Sequence, residues 1–185
     1  MYRNGNYCAF YVKEPFDRFG LGANKQHDFV YYNLLRAWKA EDNTFHFIDS
    51  HMKTYDVRDG SDWERTLKPR LHERLRSSKN IILFLSSITK NSKALREEID
   101  YGVNELGLPV IVVYPDYKLK SSIYSGEDFT ISVKNLWNNL PIFRNSMYKV
   151  PTLHLPMDKE LIRCALNDSN LTIQNKCESK PYFFR

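Results

Sequence analysis

Ile81 to Leu85 is an unbroken apolar run, and it constrains the fold of this chain more than any other segment. Apolar residues without a polar alternate suit a central strand of a parallel sheet covered on both faces. The run ends in Ser86 and Ser87, and after a polar loop a helical pattern opens with Ser92 and carries Glu97 and Glu98. In open α/β sheets, ligands bind where such strands end and the next helices begin. A carboxylate on this helix is therefore placed for chemistry or for ligand contact.

Helix geometry separates the two glutamates. At about 100° per residue, Leu95, Ile99, Val103 and Leu106 form one stripe, the face that packs on the sheet. Glu97 then projects nearly opposite, into solvent. Glu98 falls on the border of the stripe, where it can reach the carboxyl end of the strand. Position alone also fits two ordinary acids near a helix N-terminus, favoured there by the macrodipole.

Around this unit, strands alternate with helices. Tyr7 to Val12 reads as a first strand, and His27-Asp28 begins a helical pattern through Tyr31, Tyr32, Leu34, Leu35 and Trp38. Phe45 to Ile48 reads as a short second strand ending in Asp49, Ser50 and His51. Ser61 or Asp62 can cap a helix in which Trp63, Leu67, Leu71 and Leu75 repeat every fourth residue, with Glu64 placed for a capping box. Leu106-Gly107 is a helix stop, followed by a buried strand from Leu108 to Tyr114. Residues 116–130 are polar and read as a long surface loop. A helix over Ser132 to Leu140, a fifth strand over Val150 to Leu155 and a last helix over Asp158 to Leu166 complete the pattern. The tail from Asn167 to Arg185 has no periodicity, and its aromatics Tyr182, Phe183 and Phe184 tuck against the domain or serve a contact surface. This alternation implies a parallel α/β sheet with right-handed crossovers.

The 185 residues suit one domain spanning 1–185, with a core over 5–115 and a less patterned remainder over 116–185. No stretch approaches the roughly 18 apolar residues of a membrane span, and the N-terminus lacks a signal-peptide core. Cys8, Cys164 and Cys177 have no metal-ligand spacing, and Cys8 reads as a buried thiol. A cytoplasmic protein is expected. The net charge of +5 fits a nucleic-acid partner or a phosphate-bearing small molecule. The densest basic run, Arg65 to Lys79, is interleaved with leucines at helical spacing, which reads as the solvated face of an amphipathic helix. Gly20-Leu21-Gly22 lacks the third glycine and the preceding strand of a dinucleotide fingerprint, and no P-loop is present. The five histidines lack zinc spacing, so no metal is expected.

Leu85-Ser86-Ser87, followed by Ser92, Ala94, Glu98 and Ile99, resembles the segment of TIR (Toll/interleukin-1 receptor) domains that carries the NAD-cleaving glutamate. The family's catalytic glutamate maps to Glu98, and Ala94 stands where the family usually has tryptophan. The resemblance implies a flavodoxin-like αβα sandwich around a mainly parallel five-stranded sheet. By their position at strand ends, Phe10, Tyr11, Asp49, Ser50 and His51 should line the cleft, with core packing the alternative for Phe10 and an exposed loop position that for His51. Ser92 is placed to meet a ribose or simply to cap its helix, and Arg58 to meet a phosphate or remain solvated. Residues 55–60 correspond to a loop that TIR domains use for self-assembly, so a homo-oligomer is a further expectation.

The chain is similar to short bacterial TIR-like proteins of anti-phage defence, of the Thoeris type. This implies an enzyme triggered by phage infection that takes NAD+ as substrate, without a separate cofactor. Its product would be an ADP-ribose-derived messenger, in cyclic form, that activates a separate effector protein. Neither membrane nor nucleic acid is expected as a partner. Two other readings stand beside it: a non-enzymatic TIR interaction domain, and an enzyme like the nucleoside deoxyribosyltransferases, which share the sheet and use a glutamate.

Overall fold

The computed structural model describes residues 3–11, 27–51 and 62–184. In chain order, β1 (Gly5–Ala9) and α1 (His27–Glu41) come first. A π-helical turn (Trp63–Leu67), capped by the Asp62 side chain on the Arg65 N–H, leads into α2 (Lys68–Arg76). Next come β2 (Ser78–Phe84) and α3 (Lys93–Ile99), which continues as a second π-helical turn (Asp100–Glu105). Then follow β3 (Val110–Tyr114), α4 (Lys120–Ile123), the small hairpin β4 (Tyr124–Ser125) and β5 (Asp128–Phe129), α5 (Ile131–Trp137) and α6 (Pro141–Ser146). The chain closes with β6 (Thr152–Pro156), α7 (Lys159–Asn167), a 3-10 turn (Ser169–Leu171) and β7 (Pro181–Phe183).

Five strands form one parallel sheet in the order β1-β2-β3-β6-β7. Helices cover both faces, which makes this a flavodoxin-like α/β sandwich and explains why β2 shows no alternation. Tyr7, Ile81, Leu83, Val110 and Val112 pack against Leu71, Leu75, Leu95, Ile99 and Val103 on one face. Cys8, Ile82, Phe84, Ile111 and Val113 pack against Tyr32, Leu35, Ile162 and Ala165 on the other. Leu95, Ile99 and Val103 of the stripe on α3 and its extension are buried as their spacing requires, Leu106 is half-buried, and Gly107 ends the rod at φ +65°. Among the described residues, no helix is long and apolar enough to cross a membrane.

Three segments differ from the sequence expectation. Phe45 and Phe47 are buried and alternate with exposed neighbours, yet no strand forms there. Among the described residues, the one ladder contact this segment makes is a bridge between Asn6 and Asp49, because the Asn6 side chain itself takes up the Ile48 N–H at 2.8 Å. The strand expected over 150–155 forms as β6, and the place of the missing strand over 45–48 in a five-stranded sheet is taken by the tail, where β7 pairs with β6 and Phe183 packs on Tyr124 and Phe129. The polar stretch 116–130 holds α4 and the β4–β5 hairpin, turned at Gly126 with φ +65°.

Asp28 and His154 are among the polar groups buried outside the cavity described below. Asp28, at the start of α1, accepts from the Ser86 hydroxyl at 3.0 Å and from Thr89 at 3.4 Å. It ties the ends of β1 and β2 to that helix. His154, in β6, is fully buried between Tyr114 and Thr152.

Candidate active site

Ser92 opens α3 by accepting the Leu95 N–H at 3.3 Å, and this fixes the phase of the helix. Leu95 and Ile99 turn into the core, and Glu98 turns sideways to the edge of the sheet at β1. There Tyr7, 1% exposed, donates its hydroxyl to Glu98 Oε1 at 2.7 Å. Burial first, and then the charge of Glu98, push the Tyr7 phenol well above its ordinary value, so it remains a donor. Glu97 does not project into solvent as its angle suggested. It accepts from His72 at 2.7 Å and lies 3.2 Å from the Lys68 ammonium, which ties α3 to α2.

Glu98 lines a cavity of about 200 Å³ between β1, α2 and α3. Phe10, His51, Trp63, Arg70, Arg74 and Ala94 also face it. Ala94 leaves space at its own position, and the indole of Trp63 supplies an aromatic wall from the next element. The Lys93 ammonium sits 4.7 Å from the centre of that ring. Phe10 stacks on Tyr32 at 5.7 Å and meets Phe29 edge-on, which extends the aromatic surface to α1.

His51 reaches the cavity because the bridge at Asp49 sets its level beside Cys8. Its ring packs 4.7 Å from that of Tyr7, and Arg74 Nη1 lies 3.4 Å from Nδ1. On the other side of the ring Nε2 lies 3.3 Å from the Cys8 backbone nitrogen and 3.1 Å from the Cys8 carbonyl oxygen, so the Cys8 peptide backbone holds that edge of the imidazole. Burial and then Arg74 lower His51 to about 4, which leaves the imidazole neutral at pH 7. Asp49 holds this arrangement from behind, accepting the Tyr32 hydroxyl at 2.5 Å and the His51 N–H at 2.8 Å.

Of the residues proposed from sequence, Glu98, Phe10 and His51 share the cavity and Asp49 supports it. Tyr11 packs on the core beside it. Ser92 serves as the cap of α3. Ser50 does not reach the cleft: the bridge at Asn6 places it at the amino ends of β1 and β2, with Oγ 2.7 Å from Ser78 Oγ and close against Gly5. Arg58 and residues 55–60 lie outside the described residues. Tyr7, Trp63, Arg70 and Arg74 belong to the site without having been read as such. For Arg70 and Arg74 the available signal was their spacing beside Leu67 and Leu71, which puts all four on one side of α2 and the turn that leads into it.

The arrangement can hold a carboxylate in a fixed orientation, next to a neutral imidazole, two guanidiniums and aromatic walls. A family model described as Thoeris protein ThsB, TIR-like domain, matches residues 7–120. That span runs from β1 past β3 and contains every cavity residue named above.

Proposed function

The chain belongs to the TIR-like domain family of the Thoeris protein ThsB, and from that premise we propose that it cleaves the bond between nicotinamide and ribose in NAD+. The observation that carries the reading is the Glu98 carboxylate held by Tyr7 in the wall of a partly aromatic cavity. Nicotinamide leaves as a neutral base and needs no general acid. The sugar passes through an oxocarbenium-like transition state, whose positive charge a nearby carboxylate stabilises. Glu98 is the residue for that role, and its oxygens also suit hydrogen bonds from the ribose hydroxyls. Trp63 and Phe10 offer flat apolar surface to an aromatic base.

Water as nucleophile gives ADP-ribose, nicotinamide and one proton. A nucleophile within the same molecule gives a cyclic ADP-ribose instead. We assign the product as a messenger of this ADP-ribose class, acting on a separate effector after phage infection. The test is nicotinamide release from NAD+ by the purified protein and by Glu98→Gln, alone and in lysate of phage-infected cells, with products resolved by mass. Release that vanishes in Glu98→Gln supports the enzyme. No release in either condition moves the reading to an interaction domain.

A further inference from the structure

A second cavity, of about 310 Å³, opens at the other edge of the sheet, where β7 pairs with β6. Its volume falls within the range of about 300–1,000 Å³ usual for small-molecule sites. It is remote from Glu98 on two counts. β7 and β1 are the two ends of the strand order, about 19 Å apart at about 4.8 Å per strand. The two cavities also lie on opposite faces: Leu153 and Leu171 line this one from the core beside α1 and α7, and Leu71 lines the other from the core beside α3. Its aromatic walls come from the tail. Tyr182 and Phe184 stand two residues apart, pack toward the same core and both line the cavity. Side chains so placed on an extended chain are about 6.5–7 Å apart, which leaves a slot for one planar ring about 3.5 Å from each. Lys180 and Lys120 approach these rings at 5.5 and 5.0 Å, but neither lines the cavity, so neither ammonium plugs the slot.

The rim is polar. Asp168 and Asn170, from the turn after α7, complete the lining together with Cys177. Asp168 Oδ1 accepts the Asn170 N–H at 2.9 Å, and the Asn170 carbonyl accepts the Cys177 N–H at 3.1 Å, so bonds to the main chain hold this rim in place. The Asn170 carboxamide takes no part in that scaffold. A carboxylate accepts from an amino group, and a carboxamide pairs with the donor and acceptor on the edge of an aminated ring. A plain phenyl ring offers such a rim nothing, and a polyanion meets its carboxylate. We propose that this cavity is a second ligand site, which takes the base of a free nucleoside or nucleotide bearing an exocyclic amino group, as adenine does. The bound base ties the tail to β6 and to the turn after α7.

The full chain is treated with iodoacetamide in the presence of adenosine or inosine, and alkylation of each cysteine is followed by mass. Cys177 reports on the cavity, and the exposed Cys164 on α7 is the reference within the same molecule. Adenosine should slow alkylation of Cys177 and leave Cys164 unchanged. Inosine has a carbonyl in place of the amino group and should need about tenfold or more concentration for the same protection. The protecting concentration of adenosine should rise about threefold or more in Asn170→Ala. In Tyr182→Leu, which keeps an apolar side chain in β7, it should rise about fivefold or more with loss of the stacking face. If Cys177 reacts too slowly to follow, calorimetry of the same variants reads the same losses. Adenosine binding that leaves Cys177 as reactive as before belongs elsewhere and overturns the proposal. Equal potency of adenosine and inosine, or undiminished affinity in both variants, overturns it too. Protection by a short oligoadenylate at far lower concentration than adenosine would assign the slot to a nucleic acid instead. None of these readouts involves nicotinamide release, so the site at Glu98 stands or falls separately.

Discussion

Tyr7 in the edge strand β1 and Glu98 on α3 meet through a single hydrogen bond of 2.7 Å, across ninety-one positions of sequence. The phenol is buried and stays protonated, so it fixes one carboxylate oxygen at all ordinary pH. Tyr7→Phe keeps the ring and removes only the donor. A buried carboxylate deprived of a donor costs about 1–3 kcal/mol, and that loss should appear in urea unfolding. If Tyr7 acts by positioning Glu98, kcat for nicotinamide release falls about tenfold or more for a change of that size, with KM for NAD+ little altered. An unchanged kcat would make the bond purely structural.

His154 sets an acid limit on stability. Tyr114 accepts the Trp137 indole N–H at 2.8 Å, so its own proton goes to His154 Nδ1 at 2.7 Å, and Nε2 donates to Thr152 at 3.0 Å. Burial lowers His154 to about 3 from the usual 6.5. The unfolded chain thus binds a proton below pH 6.5 that the folded chain refuses until about pH 3, and stability is lost as pH falls through that window. His51, at about 4, acts in the same sense. Asp28 opposes them: burial raises it to about 6 from 3.8, so the folded chain takes up that proton first. Between pH 6 and 4 the balance is roughly one proton, about 1.4 kcal/mol per pH unit. Urea midpoints at pH 7, 6 and 5 should show this slope, and His154→Gln should flatten it. The same slope in the variant would assign the acid lability elsewhere.

What was legible in the sequence was what one element states about itself. Ile81 to Leu85 and Val110 to Tyr114 are apolar throughout because both faces are covered, and Ser92 with Leu95, Ile99 and Val103 announces a capped helix. The strand β7 was not legible. It has three residues, begins with proline, and owes its place to pairing with β6 and to the packing of Phe183 on Phe129. The site divides in the same way. Glu98, Phe10 and His51 follow from position along the chain. Tyr7, Trp63, Arg70 and Arg74 join them only because separate elements share a cavity, which periodicity within one helix does not encode. Ser50 was misplaced for a related reason, since its level is set by the single bridge at Asn6.

Gly102 offers a test of how packing sets the position of Glu98, one helical turn before it. A Cβ at 102 would lie 2.5 Å from Ile81 Cδ1 and 3.2 Å from Leu75 Cδ2, so the helical rod approaches β2 this closely because the position has no side chain. Two effects compete in Gly102→Ala. Alanine is favoured over glycine within a helix by about 1 kcal/mol, and overpacking a core costs about 1–3 kcal/mol. Ile81 and Leu75 are both fully buried, which leaves them little room to yield. Packing should therefore win, with a net loss of up to about 2 kcal/mol in urea unfolding. The rod relieves the clash by moving off the sheet, and that motion carries Glu98 away from Tyr7 in β1. Nicotinamide release should fall with stability, by more than the unfolded fraction accounts for. A variant at least as stable as the wild type would mean that Ile81 rotates aside, and Glu98 would then keep its place and its activity.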